Sequence, residues 1–193
     1  MIHNQELYAF VFSAQLAQVA VDERAPRRLS DSKEDIERVS KKMPLDVLDI
    51  DLVNSAKKMS SVYTAIAAFE NSARKFIQDR LIETIGADWW KKAVPKPIQE
   101  SSEKRKIDED QIRWHGTRGS SMIFYAQMGD LVSILRNNAT AFENHIESIE
   151  WAQQIFKSLE RSRNVIMHGG ELSMNDIERV SMNIRDWIRQ VGG

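Results

Sequence analysis

From Leu52 to Ile85 apolar side chains return every three or four positions, at Leu52, Ala56, Met59, Val62, Tyr63, Ile66, Phe69, Ala73, Phe76, Ile77, Leu81 and Ile85. That spacing matches the turn of an α-helix, and Gly86 follows with the residue type that most readily ends one. The pattern predicts one long amphipathic helix over 52–85. Upstream, a first helix is expected over about 5–21, closed by the charged, proline-containing stretch 22–28. Ser30-Asp31-Ser32 then looks like a cap for a short helix through Lys42, ended by Pro44. Beyond Trp89-Trp90, the breakers Pro95 and Pro97 and the charged run 103–110 predict an irregular or only briefly helical connection from 94 to about 118.

Helical spacing resumes over 120–142, with Met122, Phe124, Met128, Leu131, Ile134, Leu135 and Phe142 as core candidates. It recurs over 148–168 and again over 173–191, where Ser173 and Asp176 have the spacing of a capping box. No stretch alternates with period two, so the fold class is all-α, a bundle with antiparallel neighbours. Residues 1–50 are expected to form an N-terminal helical extension and residues 51–193 the main helical domain.

Composition narrows the partners. At 193 residues and 42% apolar, the chain is long enough to bury roughly 70% of its unfolded surface. A net charge of -1 argues against a protein that coats nucleic acid indiscriminately, so any such contact must be local. The absence of cysteine excludes disulfides and thiolate metal sites. Leu7 to Ala20 is apolar, but no Lys or Arg precedes it and Gln15 and Gln18 interrupt it, which suits an amphipathic helix better than a signal peptide. No stretch is apolar for long enough to span a bilayer, and the expectation is a soluble, cytoplasmic protein without membrane contact.

The candidate chemistry sits near the C-terminus, in Arg161-Ser162-Arg163-Asn164-Val165-Ile166-Met167-His168-Gly169-Gly170. Arginine clamps phosphate with a planar fork of donors and keeps its charge, while histidine shuttles protons near neutral pH. At 100° per residue, Arg163 falls about 80° from Ile155, at the edge of the sector that Ile155, Leu159 and Ile166 define. A charge there must be paired or used. One reading is a structural arginine paired with a carboxylate from another helix. The other is a phosphate ligand.

Arg163 and His168 diverge by about 140° on a regular helix. They can meet on one phosphate only if the arginine reaches around, if the helix loosens at Gly169-Gly170, or if a second subunit closes the site. His168 also suits a helix C-terminus, with Gly169 as the left-handed cap.

The segment Arg163-Asn164-Val165-Ile166-Met167-His168 resembles the signature of the HEPN superfamily, an arginine, four to six residues, then histidine. The order of Phe69 to Ile77, Gly86-Ala87-Asp88-Trp89-Trp90, Tyr125 to Leu131 and then Arg163 to His168 is similar to the Swt-type HEPN domain of mRNA-surveillance endoribonucleases and its bacterial relatives. The resemblance covers roughly 52–191. It implies a four- or five-helix HEPN bundle, a homodimer with facing motif helices, and endoribonuclease activity without metal or cofactor. Arg163 and His168 inherit the catalytic roles and Asn164 the supporting polar position.

Glu70 and Arg74, one turn apart, are candidate supporting residues, with Glu70 expected to reach the cleft and orient Arg163. Arg161, Trp114 and Arg118 are candidate RNA contacts, the last two in the charge-and-ring stretch Arg113 to Arg118. Asp108-Glu109-Asp110 reads as solvated surface and not as a metal site, and His3 and His145 carry no spacing that suggests chemistry. Some HEPN toxins carry a tyrosine two residues after the histidine that a partner enzyme modifies. Here Gly170 stands there, which speaks against that kind of antitoxin control. Toxin or antiviral defence roles, with an antitoxin or regulatory protein partner, remain open beside RNA quality control. The competing reading is a catalytically silent HEPN dimerisation module that binds RNA, a nucleotide or a partner protein.

Overall fold

The computed structural model describes residues 33–112 and 114–191. The expected first helix over 5–21, the break at 22–28 and the cap at Ser30 to Ser32 lie outside the described residues. These residues fall into two units, one ending at Val53 and one starting at Asn54.

In the first unit helix α1 covers 33–42, and Pro44 then leads into a 3-10 turn over Leu45–Val47. Ile36, Val39 and Met43, spaced along α1 and its end, are all exposed.

The second unit takes up most of α2 (Ile50–Ile85), followed by α3 (Trp89–Ala93), α4 (Lys96–Asp110), α5 (Met128–Asn137), α6 (Ala139–Phe142), α7 (Ile149–Met167) and α8 (Met174–Val191). No strand occurs among the described residues, so the all-α expectation holds. On α2 the buried positions Ile66, Phe69, Ala73, Ile77 and Leu81 keep the spacing read from the sequence, and Gly86, at φ 93°, ends the helix in the left-handed region. Leu131, Ile134 and Leu135 of α5 and Ala152, Ile155, Phe156 and Leu159 of α7 complete the core from the other side.

Trp187 of α8, 1% exposed, is the hub of an aromatic cluster. It stands edge-on to Phe69 at 5.9 Å and to Phe156 at 5.1 Å, and stacks on Trp151 at 6.4 Å. Removing a ring buried to this degree costs about 3–5 kcal/mol, so α8 is an integral layer of the bundle.

Two expectations need correction. The stretch from 94 to 118 is irregular only in its second half: the described residues that follow Asp110 to 118 lie in no helix, whereas α4 runs for 15 residues from Lys96 to Asp110. Pro97 lies in its first turn, where proline's missing N–H costs nothing, so a residue read as a breaker is a starter. The span 120–142 is not one helix. It is a 3-10 turn over Met122–Tyr125, a break at Ala126-Gln127, then α5 and α6.

Arginine side chains explain that break. Arg74 donates to the carbonyls of Ile123 (3.2 Å) and Ala126 (3.1 Å), and Arg105 donates to that of Tyr125 (2.6 Å). These carbonyls go to guanidinium groups in place of the i→i+4 ladder of a continuous helix. Met122 and Phe124 are accordingly half-buried, whereas the other five core candidates of this span are buried.

Candidate functional site

Helix α7 starts on Ser148, whose hydroxyl accepts from the Trp151 amide at 3.2 Å. It ends in a Schellman turn: the Gly170 amide donates to Val165 at 2.8 Å and the Gly169 amide to Ile166 at 3.0 Å. Gly169 has φ 77°, and a Cβ on Gly170 would stand 3.0 Å from the Val165 carbonyl oxygen. Both glycines are therefore required by the turn, and together they fix His168 as the capping residue.

Within α7, Arg163 turns towards α2. Its Nη1 lies 3.3 Å from Glu70 Oε2, while Glu70 Oε1 accepts from Arg74 Nη2 at 2.5 Å. Glu70 is only 6% exposed, so one buried carboxylate serves two guanidinium groups. Every nitrogen of the Arg74 guanidinium is engaged, with Asn71 Oδ1 at 3.2 Å added to Glu70 and the two carbonyls. Arg163 is less committed: Nη2 reaches Asn164 Oδ1 at 3.4 Å, and its buried Nε has no partner among the described residues. Glu70, Arg74, Arg163 and Arg118 line a single cleft of about 390 Å³, with Tyr63 and Asn71 among its walls.

Arg118 owes its place to Glu109, which accepts from its Nε at 2.7 Å and from its amide at 3.0 Å. The acidic run 108–110 is thus more than solvated surface. Glu109 positions a cation, and Asp110 pairs with Lys106 at 2.6 Å and raises that ammonium's pKa. Gly119 packs so closely on Phe124 that a Cβ there would meet the ring at 2.8 Å, which holds the chain next to Arg118 against the cleft wall. Trp114 is 86% exposed, and its ring stands 5.8 Å from that of His115; Arg113 lies outside the described residues. Tyr63, read from the sequence as one of the apolar positions of the long helix, is instead 38% exposed on the cleft wall, and sequence reasoning missed Asn71 and Glu109. Asn71 lies on the polar side of α2 and Glu109 near the end of a helix read as a loop, so periodicity carried no signal for either.

His168 opens elsewhere. With Arg161 and Asn164 it lines a groove of about 850 Å³ between α7 and α8, where Lys157 and Arg179 add positive charge. Its side chain is exposed, and among the described residues it has no hydrogen-bond partner. The structure thus gathers Arg163, Glu70, Arg74 and Arg118 in one cleft and His168, Asn164 and Arg161 in another. Asn164 links the two by touching Arg163 from the histidine side. Among the described residues no three His, Asp or Glu side chains gather as a metal-ligand set.

Residues 64–192, about two thirds of the chain, match the model of the Swt1-like HEPN family. The chain belongs to the Swt1-like HEPN family. The match begins later than the expected 52 and takes in every residue of both clefts except Tyr63. HEPN domains are often ribonucleases, and often dimerise and bind RNA. Neither a curated protein nor a solved structure matches the chain. No helix among the described residues is long and apolar enough to cross a membrane.

Proposed function

We propose that this Swt1-like HEPN protein is a metal-independent endoribonuclease working as a homodimer, with residues 51–193 as the HEPN-like domain and 1–50 as an extension. The supporting observation is the division of labour on α7. Arg163 is held by Glu70 with donor capacity to spare, while the His168 imidazole, at an exposed helix end, has no hydrogen-bond partner among the described residues.

In the reaction the ribose 2′-oxygen attacks the adjacent phosphorus and the bond to the 5′-oxygen breaks. One His168 takes the 2′-hydroxyl proton and the histidine of a second copy gives a proton to the leaving 5′-oxygen. Arg163 holds the phosphate oxygens and stabilises the charge that grows on them. Because Arg163 and His168 of one chain open on different clefts, a two-fold dimer that faces the α7 ends brings the needed groups together. Arg161, Arg118 and Trp114 contact the strand outside the reacting phosphate.

The same divergence supports a second reading, a catalytically silent HEPN dimerisation module that binds RNA, a nucleotide or a partner protein. The deciding experiment is cleavage of mixed single-stranded RNA in EDTA, beside Arg163→Ala and His168→Ala. Products with 2′,3′-cyclic phosphate and 5′-hydroxyl ends, absent in both variants, support the nuclease. Binding without turnover supports the silent module. As a nuclease the protein fits a toxin or defence effector restrained by an antitoxin or regulatory protein.

A further inference from the structure

The cleft around Arg163 carries more chemistry than one phosphate requires. Its three arginines face a single carboxylate, and Glu70 is already occupied on both oxygens. Arg118 is tethered to Glu109 through Nε, which leaves both Nη groups without a partner among the described residues. The Asn71 side chain is oriented by Arg74, which can only donate and therefore fixes Oδ1 towards itself. Its Nδ2 is left as a donor on the exposed rim. Tyr63, 38% exposed, adds a ring face. The volume of about 390 Å³ lies in the range of roughly 300–1,000 Å³ typical of small-ligand sites.

The site is consequently richer in donors than in acceptors, with the Gln127 amide oxygen and the Tyr63 hydroxyl as the acceptors on its lining beside Glu70. A ligand that fits must bring acceptors on two sides: an anion towards Arg118 and Arg163, and a carbonyl edge towards Asn71. A base edge that ends in an amino group, as in adenine or cytosine, would set donor against donor. Guanine and uracil present a keto oxygen at that position instead.

We propose that this cleft is a nucleotide subsite selecting a keto base, guanine or uracil, stacked on Tyr63 with its phosphate between Arg118 and Arg163. As a determinant of where RNA is cut, it rests on the ribonuclease reading. As a binding site for a nucleoside monophosphate unit, free or within a strand, it does not.

The test is calorimetric titration of the full chain with the four nucleoside 3′-monophosphates and with inorganic phosphate, beside cut-site mapping on mixed single-stranded RNA. Guanosine and uridine 3′-monophosphates are expected to bind about tenfold more tightly than their adenosine and cytidine counterparts, the scale of discrimination a hydrogen-bonding site achieves easily. Inorganic phosphate should bind more weakly than all four. Asn71→Asp keeps the acceptor for Arg74 and exchanges the donor for a second acceptor, so it should abolish the preference for the keto bases or reverse it. Tyr63→Ala should weaken all four nucleotides without changing their order. Equal affinities, no binding, or a base ratio that survives Asn71→Asp would overturn the subsite. Selective binding with uncut RNA would leave the subsite standing and remove the ribonuclease reading. Cutting without base preference in either assay would do the reverse.

Discussion

Glu70 on α2 and Arg163 on α7 lie 93 positions apart and meet at 3.3 Å, through a carboxylate that holds Arg74 at 2.5 Å with its other oxygen. The shared carboxylate joins fold and site. Arg74 uses its remaining donors to set the turn at 123–126, so a charge that aims Arg163 also shapes the cleft wall opposite. An uncompensated buried charge is expensive, and Glu70 is where this molecule would incur that cost.

Glu70→Gln keeps the shape and removes the charge, leaving Arg74 buried with carbonyl and amide partners only. The expected loss of stability is about 2–3 kcal/mol, within the range for breaking a buried pair at one end. RNA cleavage should fall more than tenfold because Arg163 loses its anchor. Thermal melting and the EDTA cleavage assay read the two effects separately. Unchanged values in both would mean that Glu70 neither supports the fold nor orients Arg163.

Trp114 has so little around it that Trp114→Ala should leave stability within about 0.5 kcal/mol. If the ring stacks on a base of the substrate, the variant should bind single-stranded RNA at least fivefold more weakly, a modest share of the roughly 1–3 kcal/mol a stacked base contributes. Fluorescence anisotropy with a labelled oligonucleotide checks this. Equal affinity would return Trp114 to the status of a surface residue.

Most of the bundle was legible because burial imposes a period. Helices α2, α7 and α8 bury a stripe on one side, and their ends lie where Gly86, Ser148, Gly169 and Ser173 put them. Helix α4 was not legible: only Ile98 and Ser102 are buried along it, so charge and proline dominate its sequence. The break at Ala126-Gln127 was invisible for another reason. Its cause is Arg74 on a distant helix, and a periodicity argument sees only neighbours in the chain. For the site, the ideal-helix angle already separated Arg163 from His168. It could not say that Arg118 would cross over to join Arg163, because that depends on Glu109 and on the close packing of Gly119 on Phe124.

The start of α8 makes stability depend on acid. The Ser173 hydroxyl donates to Asp176 Oδ2 at 2.6 Å, and this bond, with the Ser173 amide and nearby Arg179, holds the Asp176 carboxyl below the usual range. A lowered value in the folded state means that the carboxylate stabilises the fold above the ordinary aspartate pKa of about 3.9. That contribution disappears as pH falls through the lowered value. Asp176→Asn should therefore melt lower than the parent at pH 6, and the two curves should converge towards pH 2. Parallel melting temperatures across that window would remove Asp176 from the acid response.

The separation of Arg163 and His168 into two clefts makes a composite site testable without a structure of the dimer. Arg163→Ala and His168→Ala should each be inactive alone. Because the two proton transfers take one histidine from each copy, a dimer that carries a single His168 should be inactive as well. Unfolding and refolding equal amounts of the parent and His168→Ala together leaves a quarter of the dimers with both histidines, so about a quarter of parental activity should remain, against about half if each chain works alone. Half of parental activity, while mass measurement shows heterodimers, would place both residues in one chain's site. In that case the helix end at His168-Gly169-Gly170 must open to bring the histidine round to Arg163, and stiffening it should slow the reaction. Gly169→Ala disfavours the left-handed φ of 77° that the Schellman turn needs. A composite site predicts that this variant loses stability and activity together, whereas an opening helix end predicts a faster enzyme on a less stable fold.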